Sequence, residues 1–219
     1  MGILVMKYTL LLLALLTPLS IHAEVASDIA WTPELLKFVK NGNANNGKKL
    51  AETCASCHGD QGQGTPSLAP ALAGQVASYT YKQLMDYASD QRSDAMMAVE
   101  AKKLSEQAAA DLAVWFSTLP PPKASKSNAK LTRAAKMVAD GDGKRILPPC
   151  FVCHGAKGQG EKMDIPALAG QQADYLAKTL LAYKNGERHN DIYSRMRLIA
   201  GQLSEAEIKE LAEYYQAYQ

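Results

Sequence analysis

Residues 150–160 read CFVCHGAKGQG and residues 54–64 read CASCHGDQGQG, so that seven of these eleven positions are identical. Each stretch holds two cysteines that lie three positions apart, a histidine directly after the second cysteine, and a glycine-rich continuation. The four cysteines of the two stretches are the only cysteines in the chain. The sequence therefore carries this pattern twice and keeps no thiol for a disulfide elsewhere.

The first residues have the layout of an export signal. A basic head at Lys7 is followed by an apolar run from Thr9 to Leu19 and by a small residue at Ala23. The apolar run is shorter than the ~20 residues that span a bilayer, which favours a cleaved signal peptide over residues 1–23 and disfavours a membrane anchor. The mature protein is therefore expected to be soluble and exported.

The repeat extends well beyond the cysteine motif. The hexapeptide PALAGQ occurs at residues 70–75 and again at 166–171, and the offset of 96 residues also relates the two cysteine motifs. This repeat is too long for a solenoid unit, so it indicates a duplicated domain. The proline-rich and then small, polar residues 120–128 are typical of a linker, which predicts one domain at 24–119 and another at 129–219.

The two halves differ in length at one place. Residues 97–116 align with residues 196–215, where the offset has risen to 99. Three residues are therefore inserted in the second half, around His189–Asp191. His189 is a candidate extra metal ligand in this segment, and a solvated loop histidine is the commoner alternative.

The two halves also differ in net charge. Residues 24–122 carry 8 lysines and arginines against 11 acidic residues, whereas residues 123–219 carry 15 against 11. The difference is either ordinary variation of a solvated surface or a molecular dipole that orients the protein on a charged partner. The basic residues are scattered without a motif, so that no nucleic-acid site is predicted.

Both halves are predicted to be mainly helical. Thr32, Pro33 and Glu34 form a helix start, because they supply an N-cap, a proline at the first helical position and an acid near the positive end of the dipole. Ser105 and Ser204 are N-cap candidates for the last helix of each half, and only Ser204 has the later glutamate that completes a capping box. Since no alternating strand pattern is evident, the predicted fold class is all-α.

Two glycines lie at equivalent positions, Gly47 and Gly143, each seven residues before the first cysteine of a motif. A glycine has no Cβ, so that another backbone can approach it closely. Both glycines are therefore expected to allow close packing of helices.

Three interpretations of the C-x-x-C-H motif compete. A thioredoxin-like redox pair expects a βαβ pattern, which the sequence lacks. Two cysteines and one histidine fall short of the four ligands of a structural zinc site, although three ligands and a water are possible. The third interpretation is covalent haem attachment, in which the thiols add to the haem vinyl groups and the histidine binds the iron. Two copies in repeated helical domains of an exported chain favour two haem c groups.

On these residues the sequence resembles tandem class I cytochrome c domains, and most closely the dihaem cytochrome c4 family of bacterial periplasms. The resemblance covers essentially the whole mature chain and implies two domains, each with several short helices and long loops around a covalently attached haem. It also implies that the thioether cysteines and the proximal histidine of each haem are Cys54, Cys57 and His58 in the first domain, and Cys150, Cys153 and His154 in the second.

The resemblance also implies which residues support the histidine ligand of each iron and which residue is its second protein ligand. Family members place a proline twelve residues after the histidine, whose carbonyl accepts the imidazole N–H, and Pro70 and Pro166 match this position. The family's sixth ligand is a methionine from the loop before the last helix, and the repeat alignment selects Met97 and Met196. The neighbouring Met96 is an alternative in the first domain.

An iron with histidine and methionine on its two faces has no open position for oxygen, peroxide or substrate, and methionine raises its reduction potential. The resemblance therefore implies an electron carrier without enzymatic activity of its own. Its redox partners would be a quinol-oxidising complex of the bc type and a terminal oxidase. Two alternatives are a dihaem electron-accepting subunit of a flavin- or molybdenum-dependent dehydrogenase, and a dihaem peroxidase, which needs one open iron.

Overall fold

The computed structural model of the protein describes residues 26–66, 69–125, 131–161 and 163–218. The expected signal peptide at residues 1–23 and the last residues of the expected linker, 126–128, lie outside the described residues. Regular structure in the described part is helical, apart from isolated β-bridges. The predicted all-α class is therefore confirmed. None of the helices described is long and apolar enough to cross a membrane.

The described α-helices of the first domain are α1 (Pro33–Lys40), α2 (Ala44–Leu50), α3 (Ala55–His58), α4 (Ala77–Ala88), α5 (Ala95–Ala101) and α6 (Glu106–Thr118). A short 3-10 helix, Ala51–Cys54, leads from α2 into α3. Helix α6 is central, because α1, α2 and α4 all pack against it. It buries Leu112 and Phe116 in the core.

The described α-helices of the second domain are α7 (Thr132–Asp140), α8 (Phe151–His154), α9 (Ala173–Lys184), α10 (Arg195–Gly201) and α11 (Glu205–Ala217). Helix α11 takes the central place, because α7 and α9 pack against it, and α10 packs against α9. The core of this domain contains Val138, Leu176, Ile208 and Leu211.

The helix starts expected from the sequence are confirmed. The Thr32 side chain accepts a hydrogen bond from the N–H of Leu35 at the start of α1, where Pro33 is the first helical residue. Ser105 and Ser204 cap α6 and α11 in the same way. Glu207 also accepts from the N–H of Ser204 at 2.8 Å, so that only the second domain has the capping box.

The two equivalent glycines have different surroundings. A Cβ at Gly47 would lie 2.0 Å from the carbonyl oxygen of Asp111 in α6, so that close approach is confirmed there. Nothing lies within 4 Å of the corresponding position at Gly143, and that prediction was wrong. The second half has a 3-10 turn, Gly143–Arg145, in place of a second helix. The sequence then runs into Pro148 and Pro149, which disfavour helix continuation.

The linker prolines pack between the domains. A Cβ at Gly74 would lie 2.7 Å from the Cα of Pro121, and one at Gly170 would lie 2.4 Å from the carbonyl oxygen of Pro122. These glycines occupy equivalent places at the ends of the two PALAGQ segments, and both have positive φ values, 70° and 72°. Consecutive linker residues therefore contact equivalent sites of the two domains.

Candidate haem sites

Each cysteine motif lies on a short helical turn. Cys54 ends the 3-10 helix of the first domain, and Cys57 and His58 lie in α3. The chain leaves this turn through Gly59, whose φ of 80° suits a residue without Cβ. Helix α8 holds the second motif in the same way, with Cys150 directly before it. Residues three apart share a helix face, so that the two thiols of each motif are on the same side of their turn.

The cysteines of both motifs are half-buried and form no disulfide with one another. Before a thioether forms, burial raises the pKa of the Cys54 thiol, and it raises the pKa of Cys150 to about 11. Two cysteines on one side of a helical turn, directly followed by a buried histidine, fit covalent attachment of haem.

Each motif histidine is held by a carbonyl oxygen. His58 Nδ1 donates to the Pro70 oxygen at 2.8 Å, and His154 Nδ1 donates to the Pro166 oxygen at 2.9 Å. The hydrogen bonds expected from the family resemblance are therefore confirmed. A carbonyl can only accept, so Nδ1 carries the ring proton and Nε2 keeps its lone pair for a metal. Burial lowers the pKa of both imidazoles, which favours the neutral, metal-binding form.

The two candidate methionines lie at equivalent places, Met97 near the start of α5 and Met196 near the start of α10. Both are half-buried, whereas Met96 is 56% exposed. The Asp94 side chain accepts from the N–H groups of Met96 and Met97 and fixes the first turn of α5. The assignment of Met97 and Met196 as sixth ligands stays a prediction.

The two PALAGQ segments form reciprocal hydrogen bonds across the domain interface. Gln75 donates to the oxygen of Ala167 at 3.1 Å and accepts from its N–H at 2.7 Å. Gln171 makes the same pair of bonds with Ala71, both at 3.0 Å. The domains are therefore related by an approximate twofold axis. Because each segment begins with the proline that holds a motif histidine, the two haem sites lie on either side of one interface.

Two arginines are buried at this interface. Arg92 donates to Gln83 at 2.8 Å and to the Tyr175 hydroxyl at 3.0 Å. Arg188 donates to the same Gln83 oxygen at 2.8 Å and to the Tyr79 hydroxyl at 3.2 Å. Within the described part of the chain, neither guanidinium forms an ion pair with a carboxylate. Burial by itself would raise the pKa of Tyr175, but the guanidiniums of Arg92 and Arg188 lower it below its ordinary value.

Each guanidinium also lies over a tyrosine ring, Arg92 over Tyr87 and Arg188 over Tyr183. Because buried cations are costly without a counter-charge, an anion beside the two guanidiniums would be stabilising. Haem carries two propionate carboxylates, and they fit this need. Arg92 and Arg188 are a matching pair of the repeat, at the same offset of 96 residues as the cysteine motifs. The signal for their role was that a charged residue recurs at the same distance from each PALAGQ segment.

Several known proteins are similar to this chain in sequence or in fold. The cytochrome c family model matches residues 44–120 and 141–217. A thiosulfate dehydrogenase electron acceptor from Stutzerimonas stutzeri is 36% identical over 82% of this chain and 83% of its own. The structure of reduced recombinant cytochrome c4 from Pseudomonas stutzeri matches with a TM-score of 0.78 and 31% identity, over 81% of this chain and 100% of that one. A thiosulfate dehydrogenase from Marichromatium purpuratum matches with a TM-score of 0.75 and 31% identity, over 80% of this chain and 40% of that one.

The family matches and the site geometry agree with each other. Each of the two matched regions contains one complete C-x-x-C-H motif. Two haem c groups are therefore bound covalently, one at Cys54 and Cys57 and the other at Cys150 and Cys153. The relatives also imply that the protein exchanges electrons with other redox proteins. The chain belongs to the cytochrome c family and is a dihaem electron carrier of the cytochrome c4 type.

Proposed function

We propose that the protein works in the periplasm, where it takes electrons from a quinol-oxidising complex of the bc type and passes them to a terminal oxidase. The observation that carries this proposal is the pair of reciprocal bonds made by Gln75 and Gln171. They hold the two haem-binding segments against each other. An electron that enters at one domain can then leave from the other without a change of fold.

The residues around each iron have separate roles in this proposal. Bound haem supplies the one-electron change of the iron. His58 and His154 would bind the irons through Nε2, and the carbonyls of Pro70 and Pro166 hold the two rings in orientation. Met97 and Met196 would supply the second protein ligand of each iron, which would leave no position for an external substrate. The protein then changes only the oxidation state of its irons.

The charge difference between the domains suits two unlike partners. The first domain carries an excess of acidic residues and the second an excess of basic residues. Complementary potentials steer encounter and select the docking face. The donor and the acceptor would then dock on different domains, and both reactions would slow as ionic strength rises.

Carbon monoxide tests whether both irons are closed. The reduced holoprotein, with two covalent haems per chain, is expected to show no prompt spectral shift under the gas. Met97→Ala and Met196→Ala are each expected to open one iron, so that about half of the haem absorbance shifts. Met96→Ala is the matched control and should behave as the parent protein. A prompt shift in the parent protein would contradict the carrier proposal and favour a peroxidase.

A second candidate donor is a thiosulfate dehydrogenase. One relative is a thiosulfate dehydrogenase electron acceptor, and in a solved thiosulfate dehydrogenase the region matched by this protein makes up 40% of a longer chain. These likenesses favour a role as the electron-accepting partner of a dehydrogenase. The same closed irons and the same domain interface would serve either donor.

Stopped-flow reduction separates the two donors. The oxidised holoprotein is mixed with a purified bc-type complex and quinol, or with a thiosulfate dehydrogenase and thiosulfate. The physiological donor is expected to reduce it with a second-order rate constant of about 10⁵–10⁷ M⁻¹s⁻¹, which falls with added salt. Thiosulfate alone is the control and should not reduce it. Fast reduction by the dehydrogenase and slow reduction by the quinol-oxidising complex would replace the first proposal by the second.

A further inference from the structure

The inserted segment of the second domain is buried against α4 of the first. Asn190 is only 1% exposed. Its carbonyl accepts from Lys82 Nζ at 2.6 Å, and its side-chain amide donates to Asp86 at 2.6 Å and to Gln83 at 3.0 Å. Lys82 and Asp86 form an ion pair whose side chains are each 1% exposed. The insertion is therefore anchored on a buried charged pair of the other domain.

The next residue of the insertion holds the helix that carries Met196. Asp191 is buried, and its carboxylate accepts from the backbone N–H of Arg197 at 2.9 Å and from its guanidinium at 2.7 Å. Arg197 directly follows Met196 in α10. Two adjacent residues of the insertion therefore join the first domain to the methionine helix of the second.

The start of α10 needs such support. Tyr193 and Ser194 have φ values of 60° and 55°, which are unfavourable for residues that carry a Cβ. The Ser194 side chain also caps no N–H group of α10. In the first domain, Asp94 directly precedes α5 and caps it. In the second domain, the N–H of Arg197 donates to Asp191, which is the only side chain bonded to that group among the described residues.

The arrangement is one-sided. The repeat places Lys178 and Ala182 where the first domain has Lys82 and Asp86, and Lys178 is exposed. Ala182 has no carboxylate with which to form the ion pair. The first domain also lacks the three inserted residues. The contact therefore runs from the first domain to the methionine helix of the second, and it has no counterpart in the other direction.

We propose that Asn190 and Asp191 are positioning residues, through which the first domain holds Met196 on the iron of the second haem. The inference rests on the proposed role of Met196 as a ligand. Methionine-bound and methionine-free forms of the second site are in equilibrium, and the interdomain contact favours the bound form. The reduction potential and the ligand binding of the second haem then depend on contact with the first domain, whereas those of the first haem do not depend on the insertion.

The test is competition by imidazole in the oxidised holoprotein. NMR signals of the haem and methionine methyl groups separate the two sites, and Met196→Ala assigns them. Asn190→Ala is expected to raise the apparent imidazole affinity of the second haem about tenfold, since that affinity scales with the methionine-free fraction, and to lower its reduction potential. Asp191→Asn should act at the same haem. The first haem should change less than about twofold in both variants.

Glu187→Ala is the matched control, because Glu187 lies in the same connection between α9 and α10 and is exposed. It should leave imidazole binding at the second haem unchanged. Equal changes at both haems in Asn190→Ala, or a second haem that responds to Asp191→Asn alone, would overturn the inference. If Asn190→Ala does not accumulate as holoprotein, Asn190→Ser replaces it, with the same expected direction. Should Met196→Ala leave the second iron closed to carbon monoxide, the ligand assignment itself would be wrong, which is a separate failure.

Discussion

A chain in which Cys54→Ser and Cys57→Ser are combined is expected to carry one covalent haem instead of two. Serine hydroxyls do not form thioether bonds, so that the first haem can be held only by its iron ligands. The second motif keeps both thiols and should be loaded normally. Mass spectrometry of the denatured protein and a haem count per chain measure this result directly.

The same variant is expected to lose most of the structure of its first domain. Ten buried apolar residues of that domain form two clusters of five, one around Tyr81 and the other around Leu112, with Leu84 packed against both. The second domain instead has a single cluster of ten, around Leu211. Because folding of a domain with a thin core is coupled to binding of its cofactor, we expect roughly half of the helical circular dichroism to disappear.

Cys150→Ser combined with Cys153→Ser is the mirror variant. It should also retain one covalent haem, with a smaller loss of helix, because the second domain has the more continuous core. Ser56→Ala, between the two cysteines of the first motif, is the matched control and should keep both haems. Two covalent haems in either double-cysteine variant would contradict the attachment sites.

Lys82→Met is expected to lower the free energy of unfolding by about 3–5 kcal/mol. The substitution removes the ammonium partner of Asp86 and leaves that carboxylate buried at 1% exposure. Ser27 and Asn190 still donate to Asp86, but neither carries a charge. Denaturant unfolding of the holoprotein, followed by circular dichroism and by haem absorbance, gives the midpoint shift.

The size of this effect does not mean that the ion pair is strongly stabilising. Burial lowers the pKa of the Lys82 ammonium, although Asp86 opposes that shift. Desolvation therefore outweighs the attraction between the charges. Combining Lys82→Met with Asp86→Leu should recover most of the lost stability, because no unpaired charge remains buried. A double variant as unstable as Lys82→Met alone would contradict this account.

Lys178→Met is the matched control for that series. Lys178 occupies the equivalent position in the second domain and is exposed. Its substitution should change the free energy of unfolding by less than about 0.5 kcal/mol. Equal effects at the two lysines would mean that the loss at Lys82 comes from the helix itself and not from the interface.

The sequence predicted the local features well, because each depends on a few neighbouring residues. The two C-x-x-C-H motifs and the helix starts at Thr32 and Ser204 are of this kind. The histidine contacts of Pro70 and Pro166 were expected from the resemblance to the cytochrome c4 family, and the structure shows them. Repetition strengthened these predictions, since a chance motif does not recur with the same surroundings. The assignment of Met97 over Met96 also came from repetition and awaits its test.

Predictions that assumed equal surroundings for equivalent residues of the two repeats were less accurate. Gly143 was expected to resemble Gly47, but only Gly47 meets another backbone. The inserted segment drew attention to His189 because histidine binds metals, whereas Asn190 and Asp191 make the buried contacts. The sequence showed that the second repeat contains an insertion that the first repeat lacks. It did not show that this insertion contacts Lys82 and Asp86 on α4.

The sequence by itself determined the all-α class, the duplicated domain and the two haem attachment motifs, because periodicity, repetition and cysteine spacing are properties of the chain. Only the tertiary structure decided how the two domains meet. The bonds of Gln75 and Gln171, the buried pair Arg92 and Arg188, and the anchoring of the insertion on Lys82 all join residues far apart in sequence. Such contacts form only between side chains that are buried at the same interface. Which side chains are buried together is determined only when the chain has folded.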